Sequence, residues 1–554
     1  MTKNNKGVWI FAVVFLAIFI TLFCQYPLLK DKYVIQDDVR PNIFWMVKFQ
    51  DPKLFKNDIL SRYSSWVTPI GIKSVYSLTN FFVDPIIVAK VLCFFLCPIA
   101  AIYFFKLGEL AWNSKIGFLS AALFLFVAWY KEFIFFEDGG TGDFFPVLLI
   151  AFLYYFIKRD YLKTTLVIIL QAIFYPPAIL ICLFTYGISF VRRKQKRLCI
   201  EIGRKKLLYF LTAITLCFFI LFPKYLLRDK EFGKIITLPQ MKSMQEFYPG
   251  RKIYQEPEPR GRMPIIFPSL YERLTNDRSG INLNSSILFL GLFSLLLLIL
   301  LRKKALILPR ELWCFLLASI ILFMGANAVM LALFEPSRYI RTSLPIFLVF
   351  FIVVNSYRLI SEVKKSIYRR TVASFIITAT LVFYLPRIQG DSEYKAKDAE
   401  LYSYLSTLPK DVLIAGHPRD MDNVPIFSKR KVLIMEELSL PYYPDFYEKI
   451  KERTYDFFDV YYATTPDKLC AFCSKYGITH FVVYNSHFAK DYLRNKKFYL
   501  APFNDYIINL TKDHGEKEFI LNNISEDKKL FVNKDCFVIS CDKIFLCSGR
   551  IKSS

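Results

Sequence analysis

Up to Pro386 the apolar residues come in long, nearly continuous runs rather than at the spacing of a half-buried strand or an amphipathic helix. The runs cover residues 8–29, 85–105, 116–136, 144–157, 162–175, 177–191, 207–227, 286–301, 306–334, 344–360 and 371–385. They predict about eleven transmembrane helices, several of them shorter than the roughly twenty residues that a perpendicular span needs. Residues 162–191 are read as two helices because Tyr175-Pro176-Pro177 suits a chain reversal: Pro177 has no amide to donate and restricts Pro176 before it. A single helix there would put the basic run Arg192, Arg193, Lys194, Lys196, Arg197, Arg204, Lys205 and Lys206 on the wrong side of the membrane.

With that break, Lys106, Lys115 and the basic residues of 158–163, 302–304 and 358–370 all face the cytoplasm. The loop 137–143 carries no basic residue and faces out. The first run is too long for a signal peptide and ends in Gln25-Tyr26-Pro27 rather than a small-residue cleavage site, so it is read as an uncleaved span. The amino terminus then lies in the cytoplasm and the carboxyl terminus outside. The outer face collects the first loop (30–84), the loop 137–143, a long loop (228–284), the loop 335–343 and everything after Pro386. Long loops in compact proteins are uncommon and usually functional.

From about Gln389 the apolar runs shorten and charges intersperse. Residues 412–415, 431–435, 480–484, 536–539 and 544–546 predict short strands, and 396–406, 443–454 and 465–476 predict helices. The fold class is therefore a polytopic α-helical membrane protein, residues 1–388, carrying an extracytoplasmic α/β domain, residues 389–554. Neither Gly-x-Gly-x-x-Gly nor Gly-Lys-Ser/Thr occurs in that domain, so nucleotide binding has no support there.

Composition agrees with a bilayer environment. Of 554 residues, 54% are hydrophobic and 17% aromatic, and mean hydropathy is +0.34. The net charge of +25 would suggest a polyanionic partner in a soluble protein. Here the basic residues sit in short segments between apolar runs, where the positive-inside bias explains them, and no nucleic-acid partner is expected. All four histidines, His417, His480, His487 and His514, lie in the carboxyl-terminal part, so acid–base work in the membrane part falls to carboxylates. Cys470, Cys473, Cys536, Cys541 and Cys547 are expected outside, where a structural disulfide among them can persist. Cys470-Ala-Phe-Cys473 is a lone Cys-x-x-Cys without a second pair to complete a zinc site.

Three polar clusters interrupt the apolar pattern on the outer face. Asp37 and Asp38 adjoin Arg40 just after the first span. Two adjacent carboxylates repel, which raises the proton affinity of one unless a cation compensates, and a carboxylate of that kind suits proton removal from an acceptor. The bland alternative is a solvated loop. Glu137, Asp138 and Asp143 share a short loop with three glycines, an arrangement suited to a hard divalent cation such as Mg or Mn bridged to phosphate, or else simply an acidic hairpin. Arg338, Tyr339 and Arg341 stand in an outer loop against the positive-inside rule. A guanidinium can grip phosphate in a bidentate fork, though pairing with Glu335 or a lipid headgroup would also account for it.

The order of these elements resembles the GT-C superfamily of polyprenyl-phosphate-dependent membrane glycosyltransferases: an acidic pair in the first outer loop, a second acidic loop, a Pro-bearing hairpin, an Arg-Tyr segment running into Leu344-Pro345, and an external carboxyl-terminal domain. The first loop, from Asp38-Val-Arg-Pro to Asn57-Asp58, also looks like bacterial GT-C-like proteins without an assigned substrate. The resemblance implies transfer of a sugar from a polyprenyl-phosphate carrier to an extracytoplasmic glycan, lipid or protein acceptor. It implies Asp37 or Asp38 as the catalytic base or acceptor-positioning group, and Asp138 or Asp143, with Glu137, as the second-loop acid that contacts metal or acceptor, Asp138 being counted with the catalytic carboxylates and Glu137 and Asp143 with the metal contacts. It puts the lipid-phosphate contact on Arg338, and Arg341, Tyr339 and Arg40 are read beside it as further substrate contacts. The Trp-Trp-Asp-type acceptor motif of oligosaccharyltransferases is absent from the sequence, which argues against that branch. Other classes stay open: a transporter or polymerase of lipid-linked glycans, or a membrane protein that only binds. Few polar residues (Gln171, Asn327, Asn355) lie inside the spans to mark a transport path.

Overall fold

The computed structural model describes residues 3–36, 39–130, 135–136, 139–194, 197–226, 231–247, 284–301, 308–328, 333, 336–387 and 398–545. Every apolar run holds a helix. In chain order these are α1 (Lys3–Lys30), the loop helices α2 (Arg40–Ile43), α3 (Ile59–Val67) and α4 (Ile70–Thr79), then α5 (Pro85–Ala111), α6 (Ser114–Ala128), α7 (Thr141–Ile157), α8 (Tyr161–Phe174), α9 (Ala178–Ile188) and α10 (Arg204–Leu226). After them come α11 (Asn284–Leu301), α12 (Arg310–Ala328), α13 (Arg338–Arg341), α14 (Ser343–Glu362) and α15 (Ser366–Tyr384). Among the described residues four helices are long and apolar enough to cross a membrane: Lys6–Lys30, Pro85–Ala111, Arg204–Phe222 and Arg338–Glu362. Ser114–Ala128, Thr141–Ile157, Tyr161–Phe174, Ala178–Ile188 and Phe289–Leu301 are shorter apolar helices.

The break at 175–177 is present between α8 and α9. The expected span 116–136 stops early: α6 closes at Ala128, with the Trp129 amide donating back to Leu125. The basic run after α9 folds as an antiparallel hairpin, β1 (Val191–Lys194) with β2 (Arg197–Ile200), which apolar periodicity could not reveal because four of its eight strand residues, Arg192, Arg193, Lys194 and Arg197, are cationic. Packing of α5 on α6 depends on two glycines. A Cβ on Gly108 would lie 2.7 Å from the Gly117 Cα, so the backbones approach as only small residues allow. On the far side of α1, Phe11, Phe15, Phe19 and Phe23 are exposed along one face, as a lipid-facing stripe requires and a water-facing one forbids. The protein is a membrane protein.

The carboxyl-terminal part alternates short helices and strands: α16 (Ala399–Thr407), β3 (Leu413–Ala415), α17 (Pro418–Met421), α18 (Val424–Ser428), β4 (Lys431–Val432), α19 (Pro444–Tyr461), α20 (Pro466–Tyr476), β5 (His480–Tyr484), β6 (Lys529–Val532), β7 (Cys536–Ser540) and α21 (Cys541–Phe545). The sheet order is β4-β3-β5-β7-β6. β3 runs parallel to both β4 and β5, and β7 is antiparallel to β5 and β6. The expected strand at 544–546 is corrected for its described residues, Ile544 and Phe545, which belong to the helix α21 that starts directly after β7. The edge strand β6 went unseen because its lysine-led sequence, Lys-Leu-Phe-Val, is only half-buried.

This part is seated on the first loop. Tyr63 of α3 stacks on Phe446 of α19 with ring centroids 3.7 Å apart and planes 5° from parallel. Trp66 meets Tyr443 edge-on at 4.8 Å. Around that apolar contact lie charged ones, Lys429 to Asp84 at 2.6 Å and Lys410 to Asp51. Aromatic faces exclude water at the centre while ion pairs sit at the rim, the anatomy of a specific interface.

Candidate functional site

Two consecutive residues near the start of α5 hold the roots of both acid-bearing loops. Lys90 Nζ donates to the carbonyls of Leu28 and Asp31, each at 2.7 Å, and so ties down the carboxyl-terminal end of α1 where the first loop begins. Its neighbour Ala89 meets the second loop: a Cβ on Gly139 would fall 2.5 Å from the Ala89 Cα and carbonyl oxygen. Gly139 has φ +64°, a conformation that suits glycine, and both needs are met by the same residue. Tyr76 Oη donates to the Gly139 carbonyl at 3.0 Å. Gln25 of α1 reaches the Phe136 carbonyl at 3.4 Å, so α1 also touches the second loop directly.

Asp143 closes that loop. It is 2% exposed, and its Oδ2 accepts the Gly139 N–H at 3.0 Å. Two residues further along α7, Phe145 stacks on Tyr175 with centroids 4.7 Å apart. Tyr175 belongs to the Pro-Pro break, and its Oη accepts from Arg338 Nη1 at 2.7 Å. The first turn of α7, the break between α8 and α9, and the start of α13 thus meet, bringing the second-loop acid and the late arginine to one end of the bundle. Tyr339 is buried and its hydroxyl donates to the Leu333 carbonyl at 2.6 Å, while Arg341 is exposed.

Arg40 connects this end to the carboxyl-terminal part. Its side chain is buried, and Nη1 donates to Asn423 Oδ1 at 2.6 Å. Asn423 stands between α17 and α18, directly after the buried Asp422, whose Oδ1 accepts the Glu437 N–H at 3.0 Å. Burial pushes the Asp422 carboxyl well up, against the pull of the Arg40 charge. Asp37 and Asp38, two to three residues before Arg40, and Glu137 and Asp138, just before Gly139, lie outside the described residues.

A second polar cluster sits in the carboxyl-terminal part beside the same turn. His417, Asp420 and His487 each offer one ligand atom, all within 4.8 Å of one another, so the group could hold a metal ion. Burial lowers both imidazoles, His487 to about 4, and raises Asp420 to about 7. This cluster escaped sequence reading because His417 and His487 stand on different elements with no local ligand spacing between them. Asn423, Tyr175 and Lys90 were missed for a similar reason: their roles depend on partners distant in sequence. Of the cysteines, Cys473 lies with its Sγ 2.8 Å from that of Cys541, so α20 is brought against α21 there, and the Cys-x-x-Cys partner Cys470 is only half-buried.

No family model and no curated protein matches this chain. Its fold is similar to that of the oligosaccharyltransferase of the archaeon Archaeoglobus fulgidus. The apo form of that protein aligns with TM-score 0.52 at 10% identity, covering 90% of this chain and 72% of that one. Its complex with Zn and sulfate aligns with TM-score 0.50 at 10% identity over 88% and 69%. The same oligosaccharyltransferase, AglB, in complex with an inhibitory peptide and a dolichol-phosphate gives TM-score 0.50 at 10% identity over 89% and 71%. At that identity the likeness establishes the fold.

Proposed function

We propose that this membrane protein is a glycosyltransferase that moves a sugar from a polyprenyl-phosphate carrier to an extracytoplasmic acceptor. The observation that carries the reading is the convergence at one end of the bundle: Ala89 and Lys90 gather the roots of the two acid-bearing loops, and Arg338 joins them through Tyr175 and Phe145. The GT-C fold supports it, and so does the ability of AglB, similar in fold, to bind a dolichol-phosphate and a peptide. In this reading about eleven spans place that end and the carboxyl-terminal domain, residues 389–554, on the non-cytoplasmic side.

The carrier phosphate meets Arg338 and Arg341. A guanidinium carries five N–H donors, and the bond to Tyr175 fixes the plane of the Arg338 fork. Asp37 or Asp38 takes the proton from the acceptor's hydroxyl or amide. The acceptor atom then forms a bond to the anomeric carbon while the bond from that carbon to the phosphate oxygen breaks. The electron pair leaves with the lipid phosphate, whose growing charge the guanidinium stabilises. Arg40 holds the first loop to Asn423 of the carboxyl-terminal part.

The donor set of the second loop, Glu137, Asp138 and the buried Asp143, is all carboxylate oxygen and fits a hard divalent cation of the Mg or Mn class. When bound there, such an ion supplies positive charge against phosphate. The Gly139 N–H donates to Asp143 Oδ2 at 3.0 Å and points that carboxylate into its own loop.

The test uses detergent-purified protein with the lipid-linked sugar pool of its host membranes and reads release of free polyprenyl phosphate by mass spectrometry. Wild type is expected to release it, and Asp37→Asn or Asp38→Asn to abolish release while the protein still folds. Release unchanged in both variants would overturn the reading.

A further inference from the structure

The His417–Asp420–His487 cluster is unused by the transfer reaction, and its geometry is that of ligands waiting for an ion. Asp420 Oδ2 lies 3.7 Å from His417 Nδ1 and 3.5 Å from His487 Nε2. Those separations are too long for hydrogen bonds. Two ligands at about 2.1 Å from a tetrahedral ion would stand about 3.4 Å apart, close to what is seen. His417 Nδ1 and Asp420 Oδ2 are both buried and neither has a hydrogen-bond partner. His417 itself is 1% exposed. A buried polar atom without a partner costs roughly 1–3 kcal/mol, so two facing each other call for a missing third party.

The surroundings preset His417 as a ligand and allow the same of His487. His417 Nε2 faces the Phe498 carbonyl at 3.3 Å. A carbonyl only accepts, so the proton sits on Nε2 and the Nδ1 lone pair points at Asp420. His487 Nδ1 lies 3.0 Å from Tyr461 Oη, which also accepts the Tyr484 N–H at 3.3 Å. The hydroxyl has a second lone pair that can take the Nδ1 proton, and in that tautomer His487 Nε2 is a lone pair facing the same carboxylate oxygen. Outer partners that fix the tautomer of a ligating histidine are a regular feature of metal sites. Charge does not oppose a cation: Arg419 is the nearby guanidinium, and Glu436 pairs with it at 2.9 Å. Asp398, bonded to Tyr484 Oη at 2.7 Å, adds a further negative group on that side.

We infer that His417, Asp420 and His487 form a binding site for a borderline divalent transition metal of the zinc class, with three protein ligands and a fourth position on the more open Asp420 side. Two imidazoles and one carboxylate select such an ion over Mg or Ca, which prefer all-oxygen sites. The site would brace α17, whose next residues Asp422 and Asn423 carry the contact to Arg40. Metal binding stands independently of the transferase reading.

Full-length protein, with any affinity tag removed, is stripped with a chelator, reloaded with Co²⁺ or Zn²⁺, and assayed for bound metal per chain and for the visible absorption of four-coordinate Co²⁺. Wild type is expected to take one ion and show the band. His487→Gln and Asp420→Asn are each expected to weaken binding by about tenfold or more, and His480→Gln, outside the cluster, to leave it unchanged. Asp420→Asn keeps shape and volume at the most open of the three positions, so its loss of binding is readable even if His487→Gln fails to fold. Absence of bound metal in wild type, or equal binding in wild type and Asp420→Asn, would overturn the assignment.

Discussion

Gly139 packs against Ala89 so closely that no side chain fits between the second outer loop and α5, and it does so in a left-handed conformation at φ +64°. That contact sets the distance between the acidic loop and the lysine that secures the first loop, Lys90.

Gly139→Ala should therefore damage the site without touching an ionisable group. The left-handed conformation alone costs an alanine about 1–2 kcal/mol, and the Cβ would also displace the Ala89 backbone 2.5 Å away. A lowered unfolding temperature together with loss of polyprenyl phosphate release is expected. Unchanged values of both would show that the loop does not sit against α5.

Arg40 and Asn423 give a second handle. Asn423→Ala leaves a buried guanidinium N–H without its acceptor, at a cost of about 1–3 kcal/mol. Asn423→Asp restores an acceptor of similar shape and is expected to recover the stability lost in Asn423→Ala, measured by thermal unfolding in detergent. Equal stability of wild type and Asn423→Ala would dismiss the contact.

Much of the membrane part was legible in the chain because a bilayer imposes one requirement on every span. Each apolar run holds a helix, and the break at Tyr175-Pro176-Pro177 follows from proline alone. Edges were harder: α6 ends at Ala128 although the run continues, and 544–546 lies largely in the helix α21 rather than a strand, since three apolar residues do not distinguish the two. In the candidate site Arg40, Arg338 and Asp143 announced themselves as charges beside spans. Their partners did not, because Arg40 and Asn423 are 383 positions apart and Arg338 and Tyr175 are 163 apart, separations that only the fold closes.

Tyr175 separates orientation from charge. Tyr175→Phe keeps the stack on Phe145 and removes only the hydroxyl that Arg338 donates to. About three- to tenfold weaker donor binding is expected, in line with one hydrogen bond, whereas Arg338→Ala should cost about a hundredfold in release rate. Equal effects of the two variants would mean that Arg338 serves only to anchor the Pro-Pro break.

Cys473 and Cys541, with sulfurs 2.8 Å apart, are the pair expected to join as a disulfide if this part faces an oxidising compartment. Alkylation without reductant followed by peptide mass spectrometry should find them linked to each other and Cys470 alkylated. Free thiols at both positions in protein taken from an oxidising compartment would contradict it.

The convergence of both acid-bearing loops and Arg338 on a lipid-phosphate site is tested most directly by extracting lipid from the purified protein and weighing it by mass spectrometry. Polyprenyl phosphate, free or sugar-linked, is expected in wild type, retained in Asp38→Asn and depleted in Arg338→Ala. Its absence from wild type, or equal amounts in wild type and Arg338→Ala, would contradict the proposed site.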